Sequence, residues 1–140
     1  MRITPRLAAM PVDVFLRVVA DTKGSHGDWR HAAMCRQTDP DAWFPPQGET
    51  TLPARRICVT SCQVRGQCLA AAILDRPRIG IHAGLDRTAI RRIADSPAED
   101  IRAVVTAAIE ASTPRTTPAE EIYAVYGAPI DTTTDEECAA

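Results

Sequence analysis

The chain has 140 residues and a mass of 15.2 kDa, which suits one domain with a modest core. Only 4% of its residues are aromatic, 11 are proline, and the formal net charge is -2. No apolar run reaches the roughly eighteen residues that a membrane span needs, and the first twenty residues lack the pattern of a signal peptide. We therefore expect a cytoplasmic protein with no membrane segment, where clustered cysteines are more often metal ligands or redox groups than disulfides.

The charge is divided unevenly along the chain. Residues 1–92 carry 14 basic and 8 acidic side chains, whereas residues 93–140 carry 2 basic and 10 acidic ones. A basic region can approach nucleic acid, and an acidic one is repelled by phosphate. We expect the two parts to have different roles.

The N-terminal part, residues 1–28, is predicted to contain a helix followed by a loop. The helix is predicted over 12–20, and the loop DTKGSHGD covers 21–28. Residues 39–53 then contain four prolines and a glycine, which exclude a long regular element. The apolar residues at helical spacing within 12–20 are Val12, Phe15, Leu16 and Val19.

The next segment is predicted to be helical in two pieces, LPARRICVT at 52–60 and CQVRGQCLAAAILD at 62–75. Gly66 is expected to supply the break before Cys68, and Arg76-Pro77 ends the run. RIGIHAG at 78–84 is predicted to form a turn in which both glycines can take positive φ.

Asp86 is then predicted to cap a short helix with an exposed basic face. The basic residues of that helix are Arg87, Arg91 and Arg92.

The acidic part, residues 94–140, is predicted to contain two short helices and a disordered tail. Residues 96–99 and 117–120 each match a capping box with proline at the first helical position. Residues 131–140 have too little apolar content to fold alone. The apolar stripe predicted for the first of these helices is Ile101, Val104, Val105, Ala108 and Ile109.

Cysteines are the most specific feature of the sequence. Cys58, Cys62 and Cys68 fall within eleven residues, and Cys35 lies 23 positions before Cys58. Cys58 and Cys62 are one helical turn apart and are expected to share a helix face. Four thiolates can therefore converge from three segments.

Three interpretations of these cysteines compete. Small buried cysteines can simply fill a core, although three in eleven residues is many for that. Zinc bound by four cysteines usually uses C-x2-C pairs in short loops, and neither pair here has that form. A [4Fe-4S] cluster also needs four thiolates and tolerates irregular spacing, so this interpretation is favoured.

Three blocks carry a resemblance to a known family: CRQTDPDAWFP at 35–45, ICVTSCQVRGQCLA at 57–70 and GIHAGL at 80–85. In this order they resemble the WhiB-like (Wbl) family of iron-sulfur transcriptional regulators, over residues 29–93. The resemblance implies an all-α fold of about four short helices wrapped around an oxygen- and nitric-oxide-sensitive [4Fe-4S] cluster. It also implies binding to the C-terminal region of the primary sigma factor of RNA polymerase, and action on promoter DNA.

The resemblance also implies roles for individual residues. The cluster ligands would be Cys35, Cys58, Cys62 and Cys68, while Cys138 matches nothing in the family. The sigma contact would come from Trp43 and Phe44 together with His82, although Trp43 and Phe44 can equally pack over the cluster. Arg87, Arg91 and Arg92 would contact DNA.

The sequence departs from the family pattern in two places. The family usually has C-x2-C where Cys58 and Cys62 are separated by three residues. Its turn, typically G-[I/V]-W-G-G, here reads Gly80-Ile81-His82-Ala83-Gly84, so that the tryptophan is replaced by histidine. A histidine cannot fully replace the apolar area of that ring.

The sequence thus predicts a redox- or nitric-oxide-responsive transcriptional regulator that is not an enzyme. The alternative is a thiol-disulfide reductase in the cluster-free form, although C-x3-C differs from the C-x-x-C of thioredoxin-like proteins. A helix-turn-helix formed by the helices after residue 96 is disfavoured because that segment is acidic. We interpret it as a surface for an unknown protein.

Overall fold

The computed structural model describes residues 3–24, 27–46 and 48–112, and this part of the chain is mostly helical. The helices are α1 (Pro5–Ala9), α2 (Val12–Ala20), α3 (Leu52–Thr60), α4 (Arg65–Asp75), α5 (Arg87–Ala94) and α6 (Ala98–Ser112). Three short 3₁₀ helices, Trp29–Ala32, Met34–Arg36 and Pro40–Trp43, lie between α2 and α3. The prediction of a small all-α domain is confirmed.

Strand structure is minor in the described residues. The predicted loop after α2 contains a two-residue antiparallel pair, β1 (Lys23–Gly24) and β2 (Gly27–Asp28), in which Lys23 pairs with Asp28. An isolated bridge also joins His82 and Leu85. None of the helices in the described ranges is long and apolar enough to cross a membrane.

Helix α4 is at the centre of the core, with α2 packed on one side and α6 on another. The alanines at 70–72 in α4 are buried, and their small side chains let the neighbouring helices approach closely. The largest fully buried side chains are Phe15 and Val19 of α2, Leu69 of α4, Ile90 of α5 and Val105 of α6.

Gly66 marks the closest approach between α4 and α6. A Cβ atom at this position would lie 2.4 Å from Cγ1 of Ile109 and 3.0 Å from its Cα atom. The expectation that Gly66 breaks the helix before Cys68 is therefore wrong, because Gly66 lies inside α4 and is needed for packing. The break between the two helices lies at residues 61–64.

Helix α6 begins at Ala98 and departs from its prediction in two details. The Ser96 hydroxyl donates to the Arg92 carbonyl of α5, at 2.7 Å, and Pro97 precedes the first helical residue. Val104 was expected on the buried stripe but is exposed, while the other four members are buried. The stripe is narrower than predicted because α6 meets the core mainly through α4.

Arg102 of α6 ties the N-terminal helices to the C-terminal one. Its Nη1 donates to the Leu7 carbonyl at 3.2 Å, and its Nη2 donates to the Met10 carbonyl. Its guanidinium carbon lies 5.1 Å from the centre of the Phe15 ring, a cation–π geometry. The helix from the predicted acidic extension thus belongs to the same core as α1, α2 and α4.

The predicted cap of α5 is confirmed. Oδ1 of Asp86 accepts from the Ala89 N–H at 2.8 Å, and Oδ2 accepts from Nη2 of Arg55 in α3 at 3.0 Å. The Ala89 amide, together with the Arg55 guanidinium, holds the pKa of the Asp86 carboxyl below its usual value. Asp86 therefore both starts α5 and links it to α3.

Replacing Asp86 by alanine is expected to lower the free energy of unfolding by about 1 kcal/mol, the usual effect of losing an N-cap. The exposed pair with Arg55 adds little to that value. Because the folded-state pKa is lowered, the contribution is present above the unfolded pKa and is lost as the pH falls through the folded pKa. Urea unfolding at pH 7 and at about pH 3 measures both effects.

The control for this substitution is Asp95→Ala, which removes an exposed carboxylate paired with Arg76 but no side-chain N-cap. We expect it to change stability by less than about 0.5 kcal/mol. An Asp86→Ala effect that is no larger would show that the cap contributes nothing, and one that persists unchanged at low pH would show that the ionised form of the carboxyl has no special role.

The second predicted C-terminal helix at 117–126, the acidic tail at 131–140 and Cys138 all lie outside the described residues.

Candidate functional site

The structure brings the four predicted cysteines of the 29–93 segment to one cavity of about 400 Å³. Cys35 comes from the 3₁₀ helix Met34–Arg36, Cys58 from α3, Cys62 from the turn after α3 and Cys68 from α4. All four are free thiols. Alanine, tryptophan and isoleucine side chains form much of the remaining wall, through Ala33, Trp43, Ile81 and Ala83.

Cys62 reaches the cavity by a different route from the one predicted. Helix α3 ends at Thr60, so Cys58 and Cys62 do not share one helix face. The Cys62 N–H still donates to the Ile57 carbonyl, at 3.2 Å, and this bond folds the turn back against the end of α3. The three-residue spacing is therefore accommodated by a turn rather than by a continuous helix.

Trp43 packs against the cysteines and is buried, with 3% of its surface exposed. Its Nε1–H donates to Sγ of Cys58 at 3.3 Å, and its carbonyl accepts from the Ile81 N–H at 2.9 Å. This burial agrees with the second of the two roles considered for Trp43, packing over the cysteines, and leaves little of its surface for a partner. Its structural role is to close the cavity around Cys58.

Phe44 and Ile79 form an exposed apolar patch beside the cavity. Phe44 is 52% exposed and Ile79 is 70% exposed. The Phe44 ring lies over Gly80, where a Cβ atom would be 2.5 Å from its Cε1 atom. His82 lines the cavity, and its Nε2 is 3.1 Å from the Ile79 carbonyl. Sequence reasoning missed Ile79, whose position beside the glycine turn was the available signal.

Burial raises the pKa of two of the thiols. It raises the pKa of Cys35, with smaller contributions from Cys58 and Cys62, and it raises the pKa of Cys68 to about 12. The Ala83 backbone amide, which faces the Cys68 sulfur, opposes part of that rise. A bound metal centre would reverse the preference, because a coordinating thiol is deprotonated outright.

Positive charge adjoins these sulfurs. Arg36 and Arg65 line the cavity, and among the residues that the structure describes no carboxylate lines it. Guanidinium groups so placed favour an anionic occupant, such as a centre bound by several thiolates. Arg65 was not singled out by sequence reasoning.

The spacing of the sulfurs bears on which kind of metal centre they could hold. Four thiolates around one zinc ion must lie about 3.8 Å apart, given Zn–S bonds of about 2.3 Å. No group of three or more His, Cys, Asp or Glu side chains within 3–24, 27–46 and 48–112 is close enough to hold a single metal ion. The four cysteines line a cavity of about 400 Å³, which is larger than one metal ion.

The three candidate DNA-binding residues are exposed on α5. Arg87, Arg91 and Arg92 face solvent, while Ile90 on the same helix is buried. Arg87 also lines a surface groove with Phe44 and Ile79. The basic helix and the apolar patch are therefore on adjoining parts of one surface.

Comparison with known proteins gives consistent matches. The family model for transcription factor WhiB matches residues 29–93. The chain is 47% identical over 64 residues to transcriptional regulator WhiB2 of Bifidobacterium longum, covering 46% of this chain and 64% of that protein. It is 35% identical over 77 residues to transcriptional regulator WhiB of Streptomyces coelicolor, covering 55% of this chain and 87% of that protein. It is 43% identical over 65 residues to transcriptional regulator WhiB2 of Mycobacterium tuberculosis, covering 46% of this chain and 72% of that protein.

Proposed function

The chain belongs to the WhiB family of transcription factors, and we propose that its four cavity cysteines hold a [4Fe-4S] cluster through which it regulates transcription in response to redox state or nitric oxide. One observation carries the proposal. Four free thiols from three chain segments line a single, largely apolar cavity of about 400 Å³.

The residues around the cavity fit such a cluster. Cys35, Cys58, Cys62 and Cys68 supply the four thiolates that a [4Fe-4S] centre requires. The Trp43 N–H donates to the Cys58 sulfur, and the two arginines of the lining offset the negative charge of the thiolates. When bound, the cluster would supply one-electron redox chemistry and reactivity towards oxygen and nitric oxide.

Anaerobic reconstitution with iron and sulfide tests the cluster directly. We expect a coloured protein with about four irons and about four sulfides per chain. A colourless preparation, or one that carries stoichiometric zinc in place of iron, would contradict the proposal.

The alternative of a thiol-disulfide reductase is less well supported. The pair that a reductase would use, Cys58 and Cys62, is spaced C-x3-C, whereas thioredoxin-like reductases use C-x-x-C. An insulin-reduction assay on the cluster-free protein, with Cys62→Ser as the control, separates the two functions. Catalytic turnover that depends on Cys62 would favour the reductase.

The proposed partner is the C-terminal region of the primary sigma factor. Phe44 offers an exposed ring, Ile79 adds apolar area that the sequence analysis had not counted, and His82 lies at the edge of the same turn. Aromatic and aliphatic side chains that stand together on a surface are typical anchors of protein interfaces. Anaerobic co-purification of the two proteins tests this contact, and an unretained sigma factor would contradict it.

Promoter contact is proposed for α5, and its arginines are expected to act through phosphate. Replacing Arg87, Arg91 and Arg92 together by glutamine should weaken promoter binding for all sequences alike. The plot of log binding constant against log salt concentration should become shallower by about 2 to 3 units, at about 0.9 per lost phosphate contact. Fluorescence anisotropy with the sigma complex at several salt concentrations measures the slope.

Arg30→Gln is the matched control, since Arg30 is an exposed arginine outside α5 that pairs with Asp28 at 3.2 Å. Its salt slope should equal that of the unmodified protein. An unchanged slope in the triple variant would remove α5 from the DNA interface.

A further inference from the structure

Arg65 connects the first turn of α4 to the glycine-containing turn after it. Its Nε–H donates to the carbonyl of Ala83 at 2.9 Å, across eighteen residues of sequence. Cys68 lies one helical turn further along α4, and all three residues line the same cavity. Arg65 therefore bonds to the carbonyl of the residue whose backbone N–H faces the Cys68 sulfur.

The turn that carries Ala83 is tightly closed. His82 and Leu85 exchange two backbone hydrogen bonds of 2.9 Å each, and Ala83 and Gly84 lie between them. Both central residues have positive φ, 54° at Ala83 and 81° at Gly84. This is the pattern of a type I′ turn, whose central positions favour asparagine, aspartate and glycine.

Ala83 is an unfavourable residue for its position. Its side chain makes the left-handed conformation costly, and no side-chain polar group compensates. Ala83 is nevertheless almost completely buried. Its conformation must therefore be held by its surroundings, and the Arg65 hydrogen bond is one contact that does so from the carbonyl side.

We propose that Arg65 is a positioning residue for the cluster, which acts by holding Ala83 in this conformation so that the Ala83 N–H stays directed at the Cys68 sulfur. The proposal rests on the proposed cluster. It assigns to Arg65 an effect on the reduction potential that is distinct from the effect of its charge.

The physical basis is the response of a sulfur ligand to a hydrogen bond. An N–H donor stabilises the more negatively charged, reduced form of an iron-sulfur centre, so its loss shifts the midpoint potential to more negative values. It also weakens the hold on the ligand, and second-shell changes of this kind typically cost about 10-fold or more in metal affinity.

Two variants separate the hydrogen bond from the charge. In Arg65→Gln the side-chain amide nitrogen stands the same number of bonds from Cα as Nε of arginine, so the donor is kept and the charge is lost. In Arg65→Met a methyl group stands at that position, so the hydrogen-bond donor and the positive charge are both lost. Glutamine and methionine are similar in length and are both good helix formers, which makes them a matched pair.

The midpoint potential is measured by an optical redox titration of the reconstituted proteins without oxygen. We expect Arg65→Met to have a more negative potential than Arg65→Gln, and to lose its cluster about 10-fold faster in air. Amide hydrogen exchange at Ala83 in the cluster-free proteins should also be faster in the Met variant, and this readout needs no cluster. Circular dichroism establishes that both variants fold.

Arg36→Gln provides the charge control, because Arg36 also lines the cavity and its Nη1 contacts His31 rather than the turn. Equal midpoint potentials and equal Ala83 exchange rates in the Gln and Met variants would overturn the positioning role of Arg65 but not the proposed cluster. An unmodified protein that binds no cluster would overturn the proposed function as well.

Discussion

A Cys58→Ser variant is expected to lose essentially all bound iron after anaerobic reconstitution, falling from about four irons per chain to fewer than one. Serine offers a hard, protonated oxygen where iron-sulfur centres require a thiolate. Cys58 is buried beneath Trp43, so no water or neighbouring side chain can readily replace its sulfur. Visible absorbance together with iron and sulfide analysis measures the loss.

Cys138→Ser is the matched control for this prediction. Cys138 lies in the acidic part of the chain and outside the proposed ligand set. Its variant should retain the iron content and spectrum of the unmodified protein. A Cys58→Ser protein that keeps its iron, or an equal loss in the Cys138→Ser protein, would show that the ligand set is wrong.

The helices were largely predictable because their limits depend on local signals. Helix α2 was predicted over 12–20 and α3 over 52–60, and both match the structure. Apolar spacing indicated the first of these helices. The five-residue helix α1 was missed because it is too short to show a periodic pattern.

Errors arose where long-range packing determines a residue's role. Gly66 was interpreted as a break because glycine disfavours helices, but its position is set by contact with Ile109, 43 residues later in the chain. For Trp43 the sequence left two roles open, a partner contact and packing over the cluster, and the structure buries it against Cys58. Neither contact can be predicted from the neighbouring residues in the sequence.

The candidate site also contains residues that the sequence could indicate and residues that it could not. The cysteines could be singled out from the sequence because few residue types bind metal, and their spacing limits the chemistry. The contact between Arg65 and Ala83 could not be, because it depends on a backbone conformation that alanine rarely adopts. The sequence therefore indicates the proposed ligands, while the residues that orient them emerge only from the fold.

The helices that support Cys68 lie largely outside the region shared with the family. Residues 29–93 exclude α1, α2 and α6, yet α2 and α6 pack on α4, the helix that carries Cys68. Arg102 joins α6 to the Leu7 carbonyl of α1 and to the ring of Phe15. The flanking helices thus form part of the scaffold of the proposed cluster site.

Phe15→Ala is accordingly expected to lower the free energy of unfolding by about 3 to 5 kcal/mol, the usual result of truncating a fully buried phenylalanine. Phe15 is 0% exposed, and its truncation leaves a cavity in the core and deprives Arg102 of its cation–π contact. This is a large part of the 5 to 15 kcal/mol that typically stabilises a domain. Urea unfolding followed by circular dichroism measures the change.

Val14→Ala and Val18→Ala are the controls, because these residues lie on the same helix but are 39% and 38% exposed. Each should cost less than about 1 kcal/mol, since most of the truncated surface already meets water. If Phe15→Ala costs no more than these controls, α2 does not support α4, and the flanking helices do not stabilise the site. If its cost is large and the reconstituted variant also loses its cluster faster, the flanks are required to keep Cys68 in position.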